Sequence, residues 1–582
     1  MKNSDSRLNL LIMSTLFMSI ISLFIEQMEL GSTLFFILTN FLDFTILFFL
    51  ILEVSIEIKQ SVYKLIYFRK NIISLLFVFF FIMLFIYNKV LLFSSMSGEN
   101  SSKAMIFLII RNLFLLLKVF SRFKKLASFV ESIHVHPAQT ILMSFLLVIL
   151  GGTLLLMMPF TAVSGDGLPF LDALFTSTSA VCVTGLIVVD TATYFSIWGH
   201  AVIMLLIQIG GLGIMILSYF TVFVLRRAMS VEDKVMISYM LSDDDMSSLT
   251  KTLKSIVGIT FIIEGLGMLV LLSGFMKNTD LDLGKSLFYA VFHSVSAFCN
   301  AGFALFSDSL ESYSSSILIS GGIAFLIIAG GISFGVIVNL KELIKGLTGR
   351  LISKRQGSLP KFSLNTRIVL ILTGWLLLSG TILFYALEHG GVLKNMPLGE
   401  QYLSAFFQSV TLRTAGFNSI SFGSLTTPML AIMMIYMFIG AASGSTAGGI
   451  KINTVAVLGA SVRSTWRNER SVVISKQQVP AHIVLKAFLI LLFSILVISL
   501  GTVFLSFSEK APMENIMFEA VSAFGTVGLS TGLTPNLSSF GRLVIIILMF
   551  IGRLGPLTVL SAASRGTRQL YITYPQAEIS IG

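Results

Sequence analysis

Charged residues are scarce in this chain of 582 residues: Asp, Glu, Lys and Arg make up 12% of it, whereas a soluble domain carries about 25%. Hydrophobic residues make up 55%, and the mean hydropathy is +0.91. Runs of about 20 apolar residues recur, each long enough to cross about 30 Å of hydrocarbon as a helix. The low charge excludes a soluble globular protein and predicts a membrane protein with many helical spans.

Cysteine is also scarce, with only Cys182 and Cys299, which argues against a disulfide framework or a cysteine-rich metal site. The apolar segments lack clustered acids or a nucleophile beside a base, so we expect no enzyme activity and no cofactor in this chain. The net charge of +11 comes from Lys and Arg that lie mainly in loops between the apolar runs. That placement fits a membrane protein and not a nucleic-acid partner.

The most informative feature that is present is a fourfold repeat. Four segments end in a small residue, a glycine and a Leu or Phe, and their glycines are separated by 117, 114 and 112 residues. A period of this regularity indicates an internal structural repeat. Each segment follows a short apolar stretch and precedes a long one. The four glycines are Gly185, Gly302, Gly416 and Gly528.

We predict an all-α polytopic membrane protein in which each pseudo-symmetric repeat consists of a span, a short pore helix, a filter loop and a second span, around a central pore. Non-helical backbone at membrane depth is tolerated only inside protein or beside water, so the loops imply a water-lined pathway. The predicted first spans are 139–159, 256–275, 368–387 and 484–507, the pore helices 168–180, 283–298, 398–412 and 513–524, and the second spans 198–224, 317–340, 429–458 and 543–560. The predicted pore repeats are residues 137–230, 250–345, 362–460 and 480–570, after an extension at 1–136.

The extension contains four further predicted spans, which brings the total to about twelve. Its fourth span carries a basic face that includes Arg111 and Lys118. This face is either a charged helix that responds to membrane potential or a buried Arg followed by a snorkelling basic end. The basic loops at 341–367 and 463–476 should be cytoplasmic. We therefore expect a multi-pass protein of the cytoplasmic membrane with a cytoplasmic N-terminus and filter loops that open outward.

The filter loops are suited to binding a dehydrated cation. Backbone carbonyls can replace a hydration shell without fixed negative charge, which permits both entry and exit of the ion. Glycine allows positive φ and a close approach of the backbone to the ion. The alternative is four glycine-containing kinks in an ordinary transporter. The predicted K⁺ ligands are the carbonyls of Val183, Thr184, Gly185, Asn300, Ala301, Gly302, Thr414, Ala415, Gly416, Thr526, Val527 and Gly528.

A glycine cluster follows each filter glycine by 24 to 28 residues. The third cluster is too rich in Gly and Ser for a regular helix, because each interior Gly costs about 1 kcal/mol. We predict a broken helix there and a mobile loop that gates the pore. The first two clusters fit close helix packing through small residues. The predicted gate residues are Gly444, Ser445, Thr446, Gly448, Gly449, Lys451 and Arg553.

Four other polar side chains lie in or near the predicted membrane segments. Arg553 could repel cations, pair with the gate loop, or form a static ion pair. Arg413 is expected to brace a filter loop from behind, with Glu519 as a candidate partner. Glu264 and His293 are expected to be satisfied interior polar groups.

The segments 178–186, 413–418, 444–451 and 552–553 resemble the Trk/Ktr/HKT superfamily of potassium transporters, and most closely its KtrB-like membrane subunits. The resemblance covers residues 137–565. It implies a homodimer with one pore per subunit and a cytosolic ring of RCK-type regulatory subunits, of the KtrA or TrkA kind, that would carry the nucleotide. It also implies a gate at 441–451, a pathway arginine at Arg553, and a preference for potassium, because Gly185 stands where sodium-preferring members have serine.

From these features we predict a potassium-selective uptake channel or transporter subunit in contact with membrane lipids. Ions would move down their electrochemical gradient. The alternatives are a Na⁺- or H⁺-coupled K⁺ symporter and a less selective Na⁺/K⁺ pathway.

Overall fold

The computed structural model describes residues 137–213, 249–279, 281–353 and 362–563, with short helical pieces between residues 41 and 83. The chain divides into two compact units. One comprises Met1–Val135, Thr153–Pro159 and Gly165–Ala173, and the other His136–Gly152, Phe160–Ser164 and Leu174–Gly582. Apart from those pieces, the predicted extension, including its basic face, lies outside the described residues.

The described part of the chain is almost entirely helical, as predicted. Repeat one contains α1 (Pro137–Leu156), α2 (Phe170–Val181), α3 (Thr191–Tyr194) and α4 (Ile197–Leu212). Repeat two contains α5 (Leu249–Asn278), α6 (Leu283–Phe298), a π-helical turn (Ile317–Gly321), α7 (Gly322–Gly331) and α8 (Phe334–Ser353).

Repeats three and four follow the same order of elements. Repeat three contains α9 (Leu364–Glu388), α10 (Leu398–Thr411), α11 (Thr427–Phe438) and α12 (Ile452–Trp466). A small antiparallel hairpin, β1 (Val473–Ile474) and β2 (Gln477–Gln478), precedes repeat four. Repeat four contains α13 (Ala481–Ser508), α14 (Met513–Gly525), α15 (Ser539–Leu554) and α16 (Pro556–Ala563).

The second spans are broken more often than the sequence predicted. Among the described residues, α5, α9 and α13 are long and apolar enough to cross a membrane, and the bent pairs α7–α8 and α15–α16 raise that number to five. The pairs bend by 99° and 96°. The predictions of continuous spans at 317–340 and 543–560 were therefore wrong. The prediction of a broken helix in repeat three is confirmed, since residues 439–451 separate α11 from α12.

Local backbone chemistry accounts for several of these helix ends. In repeat four, Gly555 has a φ of 84° and Pro556 starts the next helix without a backbone N–H. This pair of residues favours the end of one helix and the start of another. In repeat one, α4 ends where Gly213 takes a φ of 65°. The predicted span had continued to residue 224, and residues 214–224 lie outside the described part.

Glycines at the ends of the second spans allow close contact with the pore helices. A Cβ at Gly210, Gly330 or Gly552 would overlap a pore-helix carbonyl oxygen, that of Val181, Phe298 and Phe524 respectively. Each of these carbonyls lies four residues before a filter glycine. The predicted role of the first two clusters in close packing is thus confirmed, although the second also marks a helix break. The contact places each of these three second spans directly against the base of its own filter loop.

Candidate functional site

The pore helices end in the same hydrogen-bonded turn in repeats one, two and four. In repeat one, Thr184 N donates to Ser179 O (2.8 Å) and Val183 N donates to Ala180 O (3.1 Å). The same pair of bonds recurs at Asn300–Ala301 and at Thr526–Val527. This is the Schellman arrangement, in which a left-handed residue closes a helix. It turns the chain from the pore helix into the filter loop.

The left-handed residue in each filter loop is not glycine. Val183, Asn300, Thr414 and Thr526 have φ values of 57°, 59°, 70° and 51°, and each filter glycine two residues later also has positive φ. Positive φ is strongly disfavoured for β-branched residues such as Val and Thr. Strain of this kind costs about 1–3 kcal/mol per residue and concentrates at functional sites. Three of the four residues are β-branched, and the left-handed conformation recurs in all four repeats, which indicates that the loop conformation itself is required.

The four loops form a closed ring. A Cβ at Gly185 would lie 2.6 Å from Ala301 O, one at Gly302 would lie 2.8 Å from Ala415 O, and one at Gly416 would lie 2.6 Å from Val527 O. A Cβ at Gly528 would overlap Thr184 O and so completes the circle. Each glycine therefore faces the carbonyl that precedes the next glycine. The four predicted filter loops come together around one axis.

The loops are buried and retain unused oxygen atoms. Thr184, Thr414 and Thr526 are fully buried. Their hydroxyl oxygens have no hydrogen-bond partner within the described residues. A buried polar oxygen without a partner costs about 1–3 kcal/mol. Such oxygens, together with the backbone carbonyls, form a donor set suited to a cation as the transported substrate.

A cavity of about 320 Å³ borders the ring of filter glycines, on the side where the chain leaves the filter loops. Its lining includes Asp190, Asp308 and Glu311, together with Ser and Thr hydroxyls, and no Lys or Arg. Asn418 Nδ2 donates to Glu311 Oε1 (2.8 Å). Burial, with a smaller contribution from nearby Asp308, raises the pKa of Glu311, and the Asn418 hydrogen bond opposes that shift. The sequence prediction missed these three acids, although they follow the first two filter glycines by five, six and nine residues.

The stretch between α11 and α12, the 439–451 loop, packs against the base of the fourth filter loop. A Cβ at Gly448 would overlap the side chain of Thr526, and one at Gly449 would lie 3.3 Å from Gly525 O. The loop closes on itself, since Gly440 N donates to Ile450 O (2.9 Å). It thus lies directly behind the turn that leads into the filter.

The 439–451 loop is also bonded to the helix break of repeat two. Ala442 N donates to Gly331 O (3.2 Å), and Phe334 N donates to Gly444 O (3.1 Å). The buried Thr446 hydroxyl donates to Gly330 O (3.0 Å) and Phe298 O (3.2 Å). Within the loop, Ser445 Oγ donates to Ala442 O (2.7 Å), and Lys451 Nζ donates to Ala447 O and Gly448 O. The helix break at Ile332–Ser333 and the 439–451 loop therefore satisfy each other's backbone hydrogen-bonding groups.

Arg553 bridges the 439–451 loop to repeat one. Its Nη1 donates to Thr446 O, and its Nη2 donates to Gly210 O and, at 3.2 Å, to Gly211 O. These hydrogen-bond partners are all backbone carbonyls, so the described contacts do not correspond to a static ion pair. Of the interpretations raised by the sequence, the structure contains the pairing with the loop, and the repulsion of cations stays a prediction.

The remaining intramembrane polar groups have local partners. Arg413 Nη2 donates to Thr373 Oγ1 (3.3 Å) in α9, so the candidate pairing with Glu519 was wrong. Glu264 accepts from Gln208 Nε2 (3.1 Å), and His293 bonds to two backbone groups, as expected of satisfied interior residues. The Arg413 contact thus joins the third filter loop to α9, and the Glu264 contact joins α4 to α5.

The comparisons with known proteins agree with this architecture. Residues 100–569 match the model of the TrkH family, described as cation transport protein. The chain is 40% identical over 450 residues to Ktr system potassium uptake protein B of Vibrio alginolyticus, covering 76% of this chain and 94% of the relative. It is 35% identical to potassium/sodium uptake protein NtpJ of Enterococcus hirae, covering 77% and 97%. The solved potassium transporter TrkH of Vibrio parahaemolyticus has the same fold, with a TM-score of 0.60 at 18% identity, covering 85% of this chain and 97% of that one.

Proposed function

This chain belongs to the TrkH family of cation transport proteins as a KtrB-like member, and we propose that it moves K⁺ selectively through the ring of four filter loops. It is a potassium uptake transporter of the membrane and not an enzyme. The observation that carries the proposed pathway is the closed ring, in which every filter glycine faces the carbonyl of the next loop. Four such loops can surround one ion with oxygen atoms.

The filter would bind K⁺ through backbone carbonyls. We assign the ligands to the three residues that end at each filter glycine. Because the first and third of these residues have positive φ, successive carbonyls can face the same axis. The Thr hydroxyls that have no partner within the described residues can add oxygen atoms to the filter. A neutral oxygen cage allows the ion to leave as readily as it enters.

The outer cavity would serve as the entry for cations. Asp190, Asp308 and Glu311 give it negative charge, and a cleft of one charge raises the local concentration of its counter-ion. Basic loops at 341–367 and 463–476 support an orientation with this cavity outside the cell and the N-terminus in the cytoplasm. We therefore assign the protein to the cytoplasmic membrane.

The 439–451 loop and Arg553 would form the gate. The loop fills the space behind the fourth filter loop, and Arg553 ties it to repeat one through carbonyl oxygens. Opening would require the Arg553 bridge and the bonds from Thr446 to break together. A fixed positive charge near the pathway would also oppose the passage of cations while the bridge is in place.

Regulation would come from a separate subunit. Relatives from two bacteria carry the name Ktr system potassium uptake protein B, which supports a multi-component system. We propose a homodimer with a cytosolic RCK-type partner that binds the nucleotide. Co-purification with such a partner, and nucleotide-dependent ⁸⁶Rb⁺ uptake only in its presence, would test this assignment.

A less selective Na⁺/K⁺ pathway, or coupling to Na⁺ or H⁺, is the alternative. The name of the Enterococcus hirae relative, potassium/sodium uptake protein, favours the first of these. Uptake measured with the Na⁺ and H⁺ gradients collapsed, at a held membrane potential, distinguishes coupling from passive flow. Uptake that continues supports a channel, and uptake that stops supports a symporter.

The test of the filter is ⁸⁶Rb⁺ uptake into proteoliposomes, competed with K⁺ and with Na⁺, for the wild type and Gly185→Ser. The serine would place a Cβ 2.6 Å from Ala301 O at a φ of 95°, so the ring must distort. We expect K⁺ to compete far better than Na⁺ in the wild type, and the substitution to weaken that preference. Gly374→Ser is the control, because Gly374 is exposed and a Cβ there would meet nothing within 4 Å. Equal competition by Na⁺, or no change with Gly185→Ser, would contradict the assignment.

A further inference from the structure

In repeats two and four, a buried side chain braces the filter loop from behind. His293 and Glu519 each lie nine residues before their filter glycine, and both are fully buried. His293 Nε2 accepts from Leu305 N (3.2 Å), and Glu519 Oε1 accepts from Thr531 N (3.0 Å). Leu305 and Thr531 each lie three residues after the glycine. The two repeats thus share one contact, made by different chemistry.

Glu519 accepts several hydrogen bonds at once. Its Oε1 accepts from Ser530 Oγ (2.5 Å) as well as from Thr531 N, and its Oε2 accepts from Thr534 Oγ1 (2.6 Å). These donors all lie on the segment that leaves the fourth filter loop. Hydrogen bonds to a carboxylate are stronger than those to neutral acceptors. This side chain therefore fixes the exit of the loop, while the Schellman turn fixes its entry.

His293 acts as a neutral acceptor in the matching position. Its Nδ1 bonds to Tyr289 O (2.8 Å). Because a backbone N–H can only donate, Nε2 must accept from Leu305, which places the ring proton on Nδ1. The ring is stacked on Phe306, with a centroid distance of 5.2 Å, and lies edge-on to Phe275 at 5.5 Å. Packing and hydrogen bonds together hold the Nε2 acceptor in one position.

Repeats one and three lack this brace in the part of the chain that is described. The equivalent residue of repeat one is Thr176, whose hydroxyl has no hydrogen-bond partner there. In repeat three it is Phe407. The neighbouring Gln408 donates to the hydroxyl of Ser419, three residues after Gly416 (3.3 Å), so repeat three has a side-chain contact at that position but, among the described residues, no side-chain acceptor for its backbone N–H. The glycine ring runs in the order one, two, three, four. The two braced loops therefore lie opposite each other across the axis.

We propose that Glu519 and His293 are positioning residues that hold the carbonyls of two opposite filter loops apart and so set the preference for K⁺ over the smaller Na⁺. This inference rests on the proposed filter. A loop whose exit amide is held by a buried side-chain acceptor resists closing around a smaller ion, whereas a loop without that bond can follow the ion inward. Since the braced loops face each other, they fix the width of the cage in one direction even if the other two loops move.

The experiment measures the ratio of K⁺ to Na⁺ competition against ⁸⁶Rb⁺ uptake for Glu519→Gln, Glu519→Ala, His293→Phe and Thr534→Val in the full-length protein. We expect Glu519→Ala and His293→Phe to lower that ratio by about tenfold, the scale of one buried hydrogen bond to a fixed acceptor. Glu519→Gln keeps the acceptor for Thr531 and should cause a smaller loss. Thr534→Val removes the donor to Oε2 and should also cause a smaller loss than Glu519→Ala, and the losses of Thr534→Val and Glu519→Gln should not add in the double variant, because both changes act on the contact between Oε2 and Thr534.

Two controls separate positioning from general stability. Thr176→Val removes a hydroxyl at the equivalent position that has no partner among the residues described, and Glu514→Gln alters an exposed acid on the same pore helix as Glu519. Both should leave the ratio unchanged. Should Glu519→Ala fail to fold, the Glu519→Gln and Thr534→Val pair decides, because each is close to the original side chain in size.

The outcomes distinguish this proposal from the filter assignment on which it rests. An unchanged ratio in the folded Glu519 and His293 variants, with a shifted ratio in Gly185→Ser, overturns the brace and leaves the filter assignment standing. Loss of selectivity in Thr176→Val equal to that in Glu519→Ala also overturns it. If Gly185→Ser causes no shift either, the filter assignment fails and the brace fails with it.

Discussion

Replacing Arg553 gives the sharpest test of the proposed gate. Its guanidinium joins Thr446 O in the 439–451 loop to the carbonyls of Gly210 and Gly211 in repeat one. Arg553→Gln removes the charge and shortens the side chain, so the loop loses its link to repeat one. Arg553→Lys keeps the charge but replaces the two-pronged guanidinium by a single ammonium, which cannot reproduce the bridge.

The size of the effect follows from the bonds that are lost. A hydrogen bond to a charged group contributes about 1.5–3 kcal/mol. Loss of the single contact to Thr446 O should therefore shift the ratio of closed to open gate by about 10- to 150-fold toward open. Uptake should rise by the same factor until the open state dominates.

The assay is the initial rate of ⁸⁶Rb⁺ uptake into proteoliposomes that contain the membrane protein without a partner. Arg542→Gln, in the first turn of the same helix, is the control and should leave the rate unchanged. If both Arg553 variants raise the rate, the bridge holds the gate closed. A rise with Gln alone would show that the charge is the barrier and the bridge is not. Rates at or below that of the wild type in both folded variants would refute the gate.

Three further predictions follow from the same structure. Thr446→Val removes two bonds to repeat two and should raise uptake less than Arg553→Gln does, measured in the same assay. Glu311→Gln should lower uptake at low ionic strength and have no effect in about 1 M salt, where the Debye length is about 3 Å. Because the pKa of Glu311 is raised above 4.5, acidification through that higher pKa should reproduce the loss in the wild type and not in the variant. Gly330→Ala should lower the thermal unfolding temperature, since its Cβ would overlap Phe298 O, whereas Gly258→Ala, with nothing within 4 Å, should not.

The repeat and the third helix break could be predicted from the sequence because both have a strong local cause. The pore helix Leu283–Phe298 has the predicted bounds, since Asp282 caps its start and a left-handed residue follows its end. The stretch after Phe438 contains four glycines between Gly440 and Gly449, a composition that disfavours helix by its backbone entropy alone. In both cases the residues that decide the structure are neighbours in the chain.

Contacts between distant parts of the chain could not be predicted. The pair Gly330–Gly331 fits either close packing or a helix end, and the structure contains both. Gly330 packs against Phe298 O, while Thr446 and Ala442 N donate to the carbonyls of Gly330 and Gly331. Arg553 bonds to carbonyls, which every residue carries, so no sequence pattern marks its partners. The brace at Glu519 likewise depends on the distance to Thr531, which is visible only once the loop is folded.

The central claim is that a K⁺ ion passes through the ring of Gly185, Gly302, Gly416 and Gly528. The most direct measurement is anomalous diffraction from crystals of the protein grown in Rb⁺. The account predicts an anomalous peak on the axis of that ring, surrounded by the carbonyl oxygens of the residues that precede the glycines. Crystals with ordered filter loops and no Rb⁺ peak in the ring, or a peak only elsewhere in the membrane region, would contradict it.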